Sequence, residues 1–269
     1  MSILIKPAYD ADASTYFTTA GVTSVAGRQQ ISRFVTGIKD LGLWSSMVCW
    51  PLRSSQNAGT GTTAYSLGGL GAFNGTISTT PSWNADGISF SGTATMLNNS
   101  VATSVRSANA YSSILICSNA STGTVNFGVL KGGGSNQTGD NYIAFSRQFN
   151  FLAQSQIYLT GGDSTRGFGS LSFSSSGFQF FGSTRNGLTA PATNTGSVTL
   201  NGSTNSTLSG TGNLPSTNPF GDNFYIFGSS TAGNSYAFAL VINSSISSGN
   251  MQSIRTLYQT TLGQGLGLP

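Results

Sequence analysis

Apolar positions along this chain fall on two different periods, and the change of period divides it. Ile31, Phe34, Val35, Ile38 and Leu41 recur at i, i+3, i+4, i+7 and i+10. That spacing puts them on one side of an α-helix, with Arg28, Arg33, Lys39 and Asp40 mostly elsewhere, and Gly42 stops the run. Just upstream, Asp10 and Asp12 stand before Ala13-Ser14-Thr15-Tyr16-Phe17, the arrangement of a short helix capped by carboxylates, and Gly21 separates the two. Near the other end, Met251, Ile254, Leu257, Tyr258 and Leu262 share a helical face, with Ser248 or Asn250 as cap and Gly263 as stop.

Between these helices the period shortens. Gly87 to Phe90, Tyr111 to Cys117, Val125 to Leu130, Tyr142 to Phe145, Ile157 to Leu159, Phe178 to Phe181, Val198 to Leu200, Phe224 to Phe227 and Tyr236 to Ile242 are short apolar or alternating runs separated by Gly, Asn, Ser and Thr. Such a series predicts a mainly β fold, a two-sheet antiparallel jelly-roll sandwich with an N-terminal helical segment and a short C-terminal helix. Lys131 to Asp140 and Gly202 to Pro219 read as long loops. The division expected is residues 1–47 as a helical docking segment and 48–269 as the sandwich with its closing helix. A single amphipathic helix cannot bury its own face, so Ile31, Phe34, Val35, Ile38 and Leu41 must lie on a sheet or on another chain. They are the candidate assembly face.

Composition narrows the classes. Charged residues are only 7% of the 269, against roughly 25% in an average soluble domain. Aromatics at 11%, with 17 Phe inside apolar runs, exclude a disordered chain. No apolar stretch approaches the ~18 residues of a membrane span. Lys6 follows a short apolar run, the reverse of a signal peptide, so no export signal is expected. Eleven basic residues against seven acids give +4, but they are scattered, and no stripe suited to nucleic acid forms. Cys49 and Cys117 sit in apolar runs and read as two buried thiols acting as small hydrophobes, with a bond between them left open.

Candidate chemistry is sparse. The chain has no His and no Glu, which removes Ser-His-Asp and Cys-His arrangements and imidazole metal sites. Its only carboxylates are Asp10, Asp12, Asp40, Asp86, Asp140, Asp163 and Asp222, several of them in cap or turn settings. The expectation is a protein that is not an enzyme, with no catalytic residues and no cofactor. Calcium is the metal the residue types allow, through oxygens such as those of Asp140, Asn141, Asp222 and Asn223, although no fixed ligand spacing appears and turn residues explain them as well. Lys131-Gly132-Gly133-Gly134-Ser135 has the wrong order for a phosphate loop. Phe149, Phe151, Tyr158 and Phe220 lie near polar loops and are candidates for stacking on sugar rings, or core residues.

The order of features resembles the concanavalin A-like jelly rolls of the laminin-G type. The segment Trp83 to Gly92 is similar to their apolar-Gly-Phe-x-Gly opening, Ser112 to Cys117 to an aliphatic strand, Val198-Thr199-Leu200-Asn201-Gly202 to an Asn-Gly hairpin. Tyr236 to Ile242 followed by Ser247 to Leu262 is similar to a closing strand and helix. The head, Asp10-Ala11-Asp12-Ala13 with Lys39-Asp40-Leu41-Gly42-Leu43-Trp44, resembles the front of laminin-G-like virion proteins of tailed bacteriophages. The resemblance implies a virion structural protein on a tail fibre, the tail or the capsid exterior. It would contact other virion proteins, form a homo-oligomer, and recognise a glycan on the host surface, with no nucleic acid and no membrane span. The alternative is a free carbohydrate-binding, lectin-like module.

Overall fold

The computed structural model describes residues 8–92, 94, 96–97, 110–118, 127–131, 142–146, 148–150, 154–160, 166–171, 177–185, 193–211, 223–227 and 235–269. Helix α1 (Ala11–Thr19) begins where Asp10 accepts hydrogen bonds from the backbone N–H groups of Asp12 and Ala13, at 2.9 and 3.3 Å. Helix α2 (Val25–Asp40) begins at Ser24, whose hydroxyl accepts from Gly27 N. Both helices end on a glycine in the left-handed region, Gly21 at φ +66° and Gly42 at φ +70°. After each, the next N–H reaches back to the last full turn, Val22 to Phe17 O and Leu43 to Ile38 O. The side chains of those pairs are buried together in one core, the apolar contact that accompanies this stop. Helix α3 (Ser248–Thr260) is capped by Ser247, one residue before Ser248 and three before Asn250, the two expected caps.

The strands are β1 (Met47–Pro51), β2 (Thr63–Ala64), β3 (Gly75–Ile77), β4 (Ser82–Asn84), β5 (Gly87–Ser89), β6 (Met96–Leu97) and β7 (Tyr111–Ser118). They continue with β8 (Phe127–Lys131), β9 (Tyr142–Ser146), β10 (Gln148–Asn150), β11 (Gln154–Thr160), β12 (Arg166–Leu171) and β13 (Gln179–Arg185). The last are β14 (Thr193–Leu200), β15 (Ser203–Thr211), β16 (Asn223–Phe227) and β17 (Ser235–Ile242). An eight-stranded sheet runs β15-β14-β13-β7-β17-β5-β4, with β1 also on β17. A six-stranded sheet runs β2-β3-β6-β16-β8-β9, and β10-β11-β12 form a third. Every pairing among the described strands is antiparallel. The mainly β sandwich expected from the sequence is the fold observed.

The centre of the large sheet is apolar on both faces. Met47 and Cys49 of β1, Ile114 and Ile116 of β7, and Phe238, Leu240 and Ile242 of β17 join the residues of α1, α2 and α3 in a single core. The alternate positions Val48, Trp50, Leu115, Cys117, Ala239 and Val241 are equally buried on the opposite face. There Trp50 Nε1 donates to Phe73 O at 2.8 Å. Phe34, Phe238 and Tyr258 link α2, β17 and α3, with ring centroids 5.6 Å and 4.8 Å apart.

This arrangement corrects the assembly face. Ile31, Phe34, Val35 and Ile38 are fully buried and Leu41 packs against the same core. The face that needed a partner finds it in the chain's own sheet, so it is closed to another subunit. Of the 1–47 part, the described residues 8–47 accordingly share one core with strands of the 48–269 part. A second correction concerns the first half of the loop expected from Gly202 to Pro219: Ser203 to Thr211 form β15, antiparallel to β14, while residues 212–219 lie outside the described residues. The turn between β14 and β15 is Asn201-Gly202, at φ 51° and 85°, the hairpin turn expected from those two residues.

Candidate functional site

The residues with chemical potential in the head of the chain are spent on structure. Lys39 Nζ lies 2.9 and 2.8 Å from the two carboxylate oxygens of Asp10 and 2.6 Å from Asp12 Oδ2. It also sits 5.3 Å from the centroid of the Trp44 ring. The Asp-Ala-Asp and Lys-to-Trp segments, distant in sequence, thus meet in one clasp joining α1 to the end of α2. Burial pushes the Asp10 carboxyl up, but the Lys39 hydrogen bond and the N–H groups of Ala13 and Asp12 outweigh it and hold the carboxyl below its usual range. Hydrogen bonds to Asp10 and Asp12 push Lys39 up. Of the other aspartates, Asp40 and Asp86 are exposed, and Asp140, Asp163 and Asp222 lie outside the described residues.

A second polar cluster stitches the loop after β1 to the helices. Gln56, fully buried, donates through Nε2 to Gln30 Oε1 and Leu262 O, and its own carbonyl accepts from the Tyr16 hydroxyl at 2.9 Å. Arg53 donates to Ala85 O and, from Nη1, to Leu262 O and Gln264 O at 2.7 and 2.9 Å. Asn57 satisfies both ends of its amide on Pro51 O, Tyr65 O, Ala58 N and Tyr65 N. These groups anchor backbone. Cys49 and Cys117 are free and buried, and burial pushes both thiols up, Cys117 to about 12, which disfavours the thiolate at both.

No group of three or more metal-ligating His, Cys, Asp or Glu side chains occurs among the described residues. Of the oxygens considered for calcium, Asp140, Asn141 and Asp222 lie outside the described residues, and Asn223 is the first residue of β16, opposite Lys131. No helix among the described residues is long and apolar enough to cross a membrane.

The three-stranded sheet is different in kind. Its ladder pairs Gln148 with Gln156 and Asn150 with Gln154 on one side of β11, and Gln156 with Ser170, Tyr158 with Phe168 and Thr160 with Arg166 on the other. Because strand positions alternate between faces, these nine residues share one face. The other face holds Phe149, Ser155, Ile157, Leu159, Gly167, Gly169 and Leu171. By register, the nine positions of the first set comprise two paired aromatics, four amides, two hydroxyl residues and a single cation, with no carboxylate among them. Cross-strand neighbours stand about 4.5–5.5 Å apart at Cβ, so Tyr158 and Phe168 occupy adjoining positions. Strand β11 lies beside β9 and β12 beside β15, which sets this sheet against the last strand of each larger one.

Of the aromatics proposed from sequence, Tyr158 falls on the amide-rich face and Phe149 on the apolar one, while Phe151 and Phe220 lie outside the described residues. Phe168, the partner of Tyr158, is not among the sequence candidates. Its signal is the period-two sequence Arg166-x-Phe168-x-Ser170, which matches Gln154-x-Gln156-x-Tyr158-x-Thr160 and Gln148-x-Asn150.

No protein-family profile matches the sequence, and no curated protein sequence matches it. Solved structures do match the fold. A sialidase of Trypanosoma rangeli in complex with a difluorinated keto-deoxy-nononic acid aligns with 88% of this chain and 40% of its own, at 15% identity and a TM-score of 0.52. The same sialidase with the inhibitor DANA aligns with 87% of this chain and 39% of its own, at 15% identity and a TM-score of 0.53. Botulinum neurotoxin type C, in a structure concerned with its dependence on two ganglioside molecules for cell entry, aligns with 81% of this chain and 53% of its own, at 10% identity and a TM-score of 0.51. The chain therefore spans about 40% of the length of the sialidases it matches. These likenesses are likenesses of fold. They correct the expectation that the chain stands apart from enzymes, because an architecture that aligns with sialidases is one that enzymes carry.

Proposed function

We propose that this protein binds carbohydrate through the β10-β11-β12 sheet and displays that sheet on a virus particle. The observation that carries the reading is the single face holding Tyr158, Phe168, Gln148, Asn150, Gln154 and Gln156. Sugar rings offer apolar C–H faces and a belt of hydroxyls. Paired aromatics suit the first, and amides, which both donate and accept, suit the second. The matched structures lend support at the level of fold: two hold sialidase ligands, and the third concerns ganglioside. The virion setting is supported by the resemblance of the head to phage proteins, whose two motif segments close into the Lys39 clasp. Contacts with other virion proteins and between copies of this chain then fall to surfaces other than the buried face of α2.

Binding to an immobilised glycan array tests the first part. Tyr158→Ala and Phe168→Ala are each expected to weaken binding at least about tenfold, a change equal to about 1.4 kcal/mol, with little change in the unfolding midpoint. A folded wild-type protein that binds no glycan overturns the reading. Immunogold labelling of intact particles, together with light scattering of the purified protein, tests the second part; an unlabelled particle and a strict monomer would end it.

A further inference from the structure

We propose that Arg166 gives the β10-β11-β12 face a preference for sugars that carry a carboxylate. The inference rests on the carbohydrate reading above and specifies its ligand class. Arg166 pairs with Thr160, and two positions along β12 is Phe168, which pairs with Tyr158. All four positions belong to the same face, so the cation's place in the ladder is one same-face step, about 7 Å, from the aromatic pair. A substituent on a ring stacked at that pair, or on its neighbour, falls within this span. The remaining residues of the face are amides, hydroxyls and aromatics, and strands β10, β11 and β12 contain neither Asp nor Glu.

Among the described positions of this face an anionic sugar meets one cation, Arg166, and no carboxylate, and Asp163, in the segment joining β11 to β12, lies outside the described residues. Arginine rather than lysine matters at this place. Its planar fork makes two parallel hydrogen bonds to a carboxylate, whereas a neutral hydroxyl gains far less from it. In a chain with only 11 basic residues among 269, a cation on an otherwise uncharged amide face is the feature that separates acidic from neutral glycans.

The test uses the full chain and two ligand pairs that differ in a free carboxylate: sialyllactose with lactose, and an oligogalacturonate with its methyl ester. Wild-type protein is expected to bind the acid of at least one pair about tenfold or more tighter than its neutral partner, as charge-assisted hydrogen bonds require. Arg166→Gln is expected to erase that difference, read as the ratio of acid to neutral affinity within the same variant, and Arg166→Lys to restore part of it. Added salt should weaken the acid alone. A wild type without preference in either pair, or an unchanged preference in Arg166→Gln, overturns this inference and leaves carbohydrate binding standing. If Arg166→Gln does not fold, an undiminished preference in Arg166→Lys overturns it instead. No binding to any of the four ligands also overturns it, and a blank wider array removes the carbohydrate reading as well.

Discussion

Two sheets in this molecule are built on opposite rules. The middle of the eight-stranded sheet, β1, β17 and β7, is apolar at consecutive positions and buried on both faces, under helices on one side and against the sandwich interior on the other. The β10-β11-β12 sheet alternates, with Phe149, Ile157, Leu159 and Leu171 in one set of positions beside Ser155 and two glycines, and amides, aromatics, hydroxyl residues and one arginine in the other. Consecutive apolar residues require cover on both faces and leave nothing to offer a ligand. Strict alternation satisfies a core with half of its residues and leaves the other half for recognition. The contrast separates the part of the chain that holds the fold from the part to which carbohydrate binding is assigned by the proposal above.

The largest effect expected from breaking this contrast is at Phe238, where β17 meets both α2 and α3. Phe238→Ala removes a ring packed against Phe34 and Tyr258 and is expected to cost about 3–5 kcal/mol in denaturant unfolding. Next is Gly87, at φ +147°, where an added Cβ would run into the Tyr236 carbonyl of the neighbouring strand. Gly87→Ala is expected to cost about 1–3 kcal/mol, read as a lower midpoint.

Smaller again is the clasp. Lys39→Met is expected to cost about 1 kcal/mol, because the ion pairs and the Trp44 contact are partly exposed. Its pH dependence has a definite sign. The lowered Asp10 contributes stability that is present above its unfolded value of 3.8 and is lost as pH falls through its lower folded value. The raised Lys39 contributes below 10.5 and loses that contribution as pH rises through its raised value. Lys39→Met should flatten both limbs of a stability–pH curve. The smallest change in stability is expected at Gln156: Gln156→Ala should leave the unfolding midpoint within about 0.5 kcal/mol of wild type while weakening glycan binding, a result that would set the polar face apart from the core.

The helices and the central strands are legible in the sequence because their apolar periods are strong and their stops are glycines. What covers a helix is less legible. The face of Ile31, Phe34, Val35, Ile38 and Leu41 announces that something lies over it, and only the tertiary structure identifies this chain's own sheet. The signal for that outcome is present in Met47 to Trp50, Ile114 to Cys117 and Tyr236 to Ile242, unbroken apolar runs that demand cover on two sides. Strand β15 is hard to read for the opposite reason: its Ser, Thr and Asn carry no apolar alternation, and its pairing with β14 is made by backbone. Tyr158 stands out as an aromatic, whereas Phe168 gains meaning only through the register that sets it opposite Tyr158.

The two thiols turn the layering into a built-in reporter of how the molecule comes apart. Cys49 belongs to the side of the sheet under the helices and Cys117 to the side facing the sandwich interior. A thiol-reactive probe that modifies Cys49 first would record helices peeling from an intact sandwich. Equal rates at both would record the two sides separating together.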